Sequence, residues 1–177
     1  ISAPRGLETR PATARVRSSI FSRLDARFDL TGARVLDLFA GSGSLGLEAL
    51  SRGAAHVTFV DSSRGAAATI AKNLKVFGLT DAARMLTADV MRTLTDLGAA
   101  RERFDLVFVD APYANDLSAA VLAALVEMEL LGPCGWIVVR QAGRAAALAP
   151  ARLERVNEAT LGDHRIALYR RFDKAPK

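Results

Sequence analysis

The stretch Val35-Leu36-Asp37-Leu38-Phe39-Ala40-Gly41-Ser42-Gly43-Ser44-Leu45-Gly46 decides how the chain is to be read. It opens as an apolar strand, breaks at glycines spaced Gly-x-Gly-x-x-Gly, and continues as a helix over 45–52 that Gly53 stops. A second short strand, 56–61, follows and ends on Asp61, 20 residues after Gly41. Glycines at this spacing let a ligand approach the backbone, and an acid ending the next strand accepts hydrogen bonds from ribose hydroxyls. A tight strand-to-helix turn alone would not need the third glycine and the acid, so the pattern asks for a nucleoside-containing ligand.

The same alternation extends outward. Apolar runs at 34–39, 56–61, 84–88, 104–110 and 135–140 read as strands buried on both faces, and 45–52, 65–77, 90–97 and 117–130 read as helices. The second of these helices carries Ala67, Ile70, Ala71, Leu74 and Phe77 on one face and stops at Gly78. The tail differs: segments 152–160 and 164–172 flank the turn Leu161-Gly162-Asp163, with Ile166 and Leu168 alternating, as in an antiparallel pair. The fold expected is α/β, a mostly parallel sheet with an antiparallel edge. Upstream, Thr13 is placed to cap a helix running to about residue 28, with Val16, Ile20 and Leu24 on one face and Arg15, Arg17, Arg23 and Arg27 elsewhere. Residues 1–30 thus form a basic segment and helix, and 31–177 the catalytic domain. The opening Ile1-Ser2-Ala3-Pro4, without an initiating Met, reads as the end of a strand, and a preceding segment is expected to be missing.

Composition bounds the function. With 177 residues, 50% of them hydrophobic, and a mean hydropathy of +0.16, the chain makes one folded domain; its apolar runs are too short to span a membrane. One cysteine, Cys134, cannot form an intramolecular disulfide, and two His and one Cys far apart exclude a structural zinc. No metal is expected, no leader is seen, and a cytoplasmic, monomeric protein is anticipated. The charge of +5 comes largely from arginine, which suits phosphate recognition but also suits a plain basic surface.

Two constellations choose the ligand. Asp37, four residues before Gly41, faces whatever occupies the loop. A pyrophosphate would be repelled there, whereas the sulfonium and α-ammonium of S-adenosylmethionine would be attracted. The competing role for Asp37 is a carboxylate paired with the N-terminal helix. The second constellation is Phe108-Val109-Asp110-Ala111-Pro112-Tyr113, an acid ending a buried strand, a proline turn and an aromatic. The Asp110 carboxylate and the Ala111 carbonyl can both accept from an exocyclic base amino group, and the Tyr113 ring can stack a base. Two acceptors hold a conjugated amine toward tetrahedral geometry and free its lone pair for attack on a methyl group.

Residues 35–54 resemble, over about twenty consecutive positions, the first motif of the bacterial RNA methyltransferases that modify a guanine exocyclic amino group of small-subunit (16S) ribosomal RNA, the RsmD-like family. Arg10-Pro11-Ala12-Thr13-Ala14-Arg15-Val16-Arg17 resembles the segment preceding it, and Asp110-Ala111-Pro112-Tyr113 stands where the family has Asp-Pro-Pro-Tyr or Phe. The resemblance implies a Rossmann-like methyltransferase fold, a seven-stranded sheet with an antiparallel last strand, and S-adenosylmethionine as cofactor. It implies that Asp37, Phe39, Ala40, Gly41, Ser42 and Gly43 hold the methionine half, that Asp61 and Ser62 bind the ribose, and that Asp89 and Val90 address the adenine. Asp110, Ala111, Pro112 and Tyr113 would address the target guanine N2, and Arg10, Arg15 and Arg17 the RNA. The partner implied is ribosomal RNA or a partly assembled small subunit. Departures are Ala111 for a proline, Ala12 for the usual Thr, Ser18 for the usual Glu and Asp61 for the common Glu. The alternatives are a DNA adenine methyltransferase, a dinucleotide oxidoreductase and a non-catalytic RNA-binding relative.

Overall fold

The computed structural model describes residues 14–112, 117–145 and 148–172. Helix α1 (Ala14–Asp25) precedes β1 (Arg34–Leu38), α2 (Ser44–Ser51), β2 (His56–Asp61), α3 (Arg64–Phe77), β3 (Ala83–Thr87), α4 (Val90–Ala99), β4 (Phe104–Val109), α5 (Ser118–Glu127) and β5 (Leu131–Ala142). A hairpin of β6 (Leu153–Leu161) and β7 (His164–Arg171) closes the chain. The strands form one seven-stranded sheet in the order β3-β2-β1-β4-β5-β7-β6. Strands β1 to β5 pair in parallel, and β7 runs antiparallel to both of its neighbours. The mostly parallel sheet with an antiparallel last strand is therefore what the sequence forms.

Period-two alternation divides each central strand between two cores. Val35, Phe59, Phe108 and Val138 pack against Ile20 of α1, Leu45 of α2 and Ile70 of α3, while Leu36, Val60, Val109 and Val139 pack against Leu94 of α4 and Val121 of α5. Helix α1 shares the first core: Val16, Ile20, Phe21 and Leu24 are buried, and the Phe21 ring centroid lies 5.7 Å from that of Phe108. Two of its arginines are tied down, Arg23 donating to Asn157 of β6 at 2.9 Å and Arg17 pairing with Glu48 of α2 at 3.5 Å.

Two expectations are corrected. Strand β3 is not buried on both faces; it is a sheet edge, with Arg84 and Thr87 exposed and the rest half-buried, because no strand lies beyond it. Helix α5 ends at Glu127, short of residue 130, because Glu129 adopts a left-handed φ of 51°, and the chain enters β5 from Leu131.

The strand order reverses between β1 and β4, since β2 flanks β1 on one side and β4 on the other. In open α/β sheets such a switch point leaves a crevice at the carboxyl ends of the strands. Leu38 lies beside both Val60 and Val109, and Val109 beside Val139. The residues just past these positions, namely the glycine loop, Asp61, Asp110 and Arg140, consequently gather at one end of the sheet.

Candidate active site

The glycine loop turns through three left-handed residues, Phe39 (φ 58°), Gly41 (φ 56°) and Gly43 (φ 75°). A non-glycine residue held there stores about 1–3 kcal/mol of strain and persists only where its surroundings enforce it. Four fastenings do so. The Ala40 N–H donates to the Val60 carbonyl at 3.0 Å, the Gly41 N–H to Asp61 Oδ2 at 2.8 Å and the Gly46 N–H to Asp37 Oδ2 at 2.9 Å. Asn73 of α3, itself buried, donates Nδ2 to the Ser42 carbonyl at 3.2 Å. The glycines serve different ends. A Cβ on Gly41 would meet nothing nearer than the Phe39 carbonyl at 3.9 Å, which leaves that side open to a ligand, whereas a Cβ on Gly46 would stand 2.3 Å from Cε1 of Phe59. Gly46 lets α2 lie against β2.

Asp37 is 1% exposed, flanked across the sheet by Phe59 and Phe108. Burial pushes its carboxyl well above the usual carboxylate range, opposed by the Gly46 hydrogen bond and reinforced by Asp110 and Asp61. Its partner is the first turn of α2, not the N-terminal helix. A helix N-terminus is the usual seat of a pyrophosphate, and here a protein carboxylate already takes the Gly46 N–H of its first turn.

Asp61 is half-buried and spends both oxygens on backbone, accepting from Gly41 and, at 2.8 Å, from Ser63. Each oxygen retains a further acceptor site. Ser62 is exposed beside it. Asp89 caps α4, accepting from the Arg92 N–H at 3.0 Å, and Val90 is buried behind it. Asp89 sits at the end of β3, two strands from β1, so it flanks the crevice at a distance from the loop.

Asp110 follows β4 and lies under a bidentate clamp: Arg140 gives Nε to Oδ1 at 2.5 Å and Nη2 to Oδ2 at 2.8 Å. Burial raises the Asp110 carboxyl above its ordinary value; Arg140 first and His164 second pull the other way. Ala111 is buried and Pro112 exposed. Tyr113 and Arg10 lie outside the described residues. Arg15 is exposed, while Arg17 is partly covered by its pairing with Glu48. The structure thus brings Asp37, the glycine loop, Asp61 and Asp110 to one crevice.

Sequence reading missed Arg140 and Asn73. The signal for Arg140 was a charge ending the apolar run Gly135 to Val139, level with Asp110 once β4 and β5 pair. That for Asn73 was a polar residue three positions after Ile70, on the apolar face of its helix. A concavity of about 410 Å³ lined by Asp25, Phe28, Leu30 and Arg52 lies elsewhere, where the chain enters β1 and leaves α2; it holds none of these groups.

The family model described as "Conserved hypothetical protein 95" matches residues 1–170. The chain belongs to that family. Among relatives of this conserved hypothetical protein 95 member, the candidate rRNA methyltransferase YlbH of Bacillus subtilis (strain 168) is 41% identical over 138 residues, covering 78% of this chain and 74% of the relative. Ribosomal RNA small subunit methyltransferase D of Escherichia coli (strain K12) is 36% identical over 128 residues, covering 72% of this chain and 59% of the relative. A solved structure of a conserved hypothetical protein from Streptococcus pyogenes superposes with a TM-score of 0.81 at 33% identity, covering 88% of this chain and 95% of that one. The family resemblance carried by residues 35–54 is borne out, and the fold is the Rossmann-like methyltransferase type.

Proposed function

We propose that the protein transfers a methyl group from S-adenosylmethionine to the exocyclic N2 amino group of a guanine in small-subunit ribosomal RNA. The observation that carries this reading is the Asp110 carboxylate standing in the switch-point crevice, one strand across from a glycine cradle whose Gly41 side is open. The residues fit the donor. Asp37 holds the position at the α2 N-terminus that a dinucleotide's pyrophosphate would need, which disfavours the oxidoreductase and favours a ligand with a positive chain. When bound, S-adenosylmethionine supplies a sulfonium methyl group open to attack by an amine.

The chain's own residues do the rest. Asp110 and the Ala111 carbonyl accept the two N–H groups of the base amine, turning its lone pair out of conjugation. After transfer the nitrogen is a strong acid, and its proton leaves to Asp110 or to water, so no strong base is needed. Asp61 binds the ribose through its remaining acceptor sites, Asp89 or a neighbouring amide addresses the adenine, and Tyr113 stacks the target base. Arg10, Arg15 and Arg17 hold RNA phosphates, and ribosomal RNA or a partly assembled small subunit in the cytoplasm is the partner. The names of YlbH and methyltransferase D, the relatives given above, support ribosomal RNA as the substrate.

The test is methyl transfer to small-subunit RNA and to assembly intermediates, with mass mapping of the product nucleoside. N2-methylguanosine is expected; another methylated base, or none, would sink the assignment. Asp110→Ala should leave S-adenosylmethionine affinity within a few-fold and slow transfer by ~10²–10³. Tyr113→Phe should be mild, and Tyr113→Ala should lose ~1–3 kcal/mol of stacking. If the two Tyr113 variants were equally damaging, the hydroxyl would be the working group and the stacking account wrong.

A further inference from the structure

Asp110 is not a lone acid at the end of a strand. Because β4 and β5 run parallel with Val109 beside Val139, the next residues, Asp110 and Arg140, meet at the crevice. Both side chains are nearly enclosed, 14% and 11% exposed, and the guanidinium meets the carboxylate with its Nε–Nη2 side through two hydrogen bonds. Behind the clamp stands β7. His164 pairs with Ala142, two residues on from Arg140, and its Nδ1 lies 3.4 Å from Arg140 Nη1. Guanidinium and imidazole thus line up behind the one carboxylate that the proposed chemistry uses.

We propose that Arg140 is the positioning residue for Asp110: its planar fork fixes the plane of the carboxylate and keeps both oxygens acceptors, so that one outer lone pair faces the substrate amine. This rests on the reading of Asp110 as the amine's acceptor. A carboxylate offers about four acceptor sites, and a bidentate guanidinium takes the inner two, one on each oxygen. One site remains on the outer flank of each oxygen. Without the fork, the terminal torsion of aspartate is broad and the acceptor direction wanders. A lysine in the same place supplies charge but not the plane.

Charge matters as well as direction. Against its own burial, the groups acting on Asp110 are Arg140 on β5 and then His164 on β7; Asp110 in turn raises the buried carboxyl of Asp37 on β1. Burial favours the protonated acid; Arg140 and a charged His164 oppose it. A protonated Asp110 would turn one acceptor into a donor, the wrong partner for an N–H. Removing Arg140 therefore moves protonation to higher pH and costs activity from the acid side.

The experiment compares wild type, Arg140→Lys, Arg140→Met, Asp110→Asn and the Asp110→Asn/Arg140→Met pair. Methyl transfer is followed from pH 5 to about 9, and aspartate carboxyl carbons are titrated by NMR in ¹³C-labelled protein, with Asp110 assigned by its loss in Asp110→Asn. Arg140→Met should lose about 10- to 100-fold in kcat at neutral pH and regain part of it as pH rises, with its Asp110 carboxyl titrating above that of wild type. Arg140→Lys should keep the wild-type acid limb while losing about 10-fold at every pH, because charge without the fork leaves direction unset. In the Asp110→Asn background, Arg140→Met should change kcat by no more than about 2- to 3-fold, since nothing is left to position. Should Arg140→Met not fold, Arg140→Lys and the neutral pair, neither of which leaves a buried charge unpaired, carry the comparison. An Asp110 titration and acid limb unmoved in Arg140→Met, or a full additional loss in the Asp110→Asn background, would overturn the proposal. The carboxyl titration needs neither RNA nor cofactor, so it decides the Arg140 coupling even if wild type were found to methylate no guanine.

Discussion

Replacing Gly46 by alanine separates the packing role of the third glycine from the ligand-facing role proposed for the first. The added Cβ would fall 2.3 Å from Phe59 Cε1, 2.7 Å from its Cζ and 2.8 Å from Val57 Cγ1. Phe59 and Val57 are both fully buried, and the Phe59 ring has no exposed side into which to retreat. Overpacking of a tight core costs about 1–3 kcal/mol, and a methyl inside a ring's van der Waals envelope belongs at the top of that range. Alanine regains about 1 kcal/mol of helix propensity over glycine in α2. The net expectation is a loss of about 2 kcal/mol, or a fall in Tm of roughly 4–8 °C for a chain of this size. Urea unfolding and calorimetry measure it. Gly65→Ala is the matched control, because a Cβ there meets only Ser63 Oγ at 3.5 Å, and this variant should gain about 0.5–1 kcal/mol. Trimming the obstacle with Phe59→Leu should rescue Gly46→Ala by at least about 1 kcal/mol in a double-mutant cycle. Wild-type stability in Gly46→Ala, or simple additivity in the cycle, would refute the claim that α2 sits on β2 through this glycine.

Asp37→Asn keeps an acceptor for the Gly46 N–H but removes a carboxyl whose folded value burial has raised. Such a group stabilises below the ordinary carboxylate range and loses its contribution as pH rises through the raised value, so the variant should gain on wild type in urea unfolding as pH rises above the ordinary carboxylate range; parallel pH curves would count against it. Its S-adenosylmethionine affinity should fall about 10- to 150-fold, the ~1.5–3 kcal/mol of a charged partner, as read by calorimetry. Arg15→Glu should flatten the salt dependence of RNA binding by roughly one log-log unit per lost phosphate contact without touching stability, whereas Arg17→Glu, facing Glu48, should also destabilise by up to about 1 kcal/mol. Filter binding across a salt series checks both, and an unaltered slope would place these arginines outside the RNA interface.

The fold was legible because its signals are local and repeated. Two-face burial makes β1, β2 and β4 near-continuous apolar runs, and Gly53 and Gly78, at φ 100° and 66°, stop helices where a left-handed residue is needed. What failed depended on neighbours. Strand β3, with Ala83, Met85 and Leu86, still reads as an apolar run, so only the assembled order shows it to be an edge. Leu130 fits a helix face as well as the approach to a strand, and it is the left-handed turn at Glu129 that ends the helix ahead of it. Arg140 was invisible for the same reason: its meaning comes from the parallel pairing that sets it beside Asp110, 30 residues away in the chain.

Each acid singled out from the motifs proves to have a second employer in the fold. Asp37 holds Gly46, Asp61 holds Gly41 and Ser63, Asp89 holds Arg92, and Asp110 is itself held by Arg140. This follows from the place they occupy. A crevice at the carboxyl ends of parallel strands is where helix N-termini and left-handed turns leave backbone N–H groups without intrahelical partners, and carboxylates are the side chains that satisfy them. A nucleoside ligand asks the same residue type for its hydroxyls and amines. Truncation to alanine at Asp37, Asp61 or Asp89 removes a structural acceptor together with the proposed ligand contact, and its effect cannot be assigned to either. Asparagine retains one neutral acceptor and drops the charge, so in this site the difference between the Asn and Ala variants, rather than either alone, separates what the fold takes from each carboxylate from what the chemistry takes.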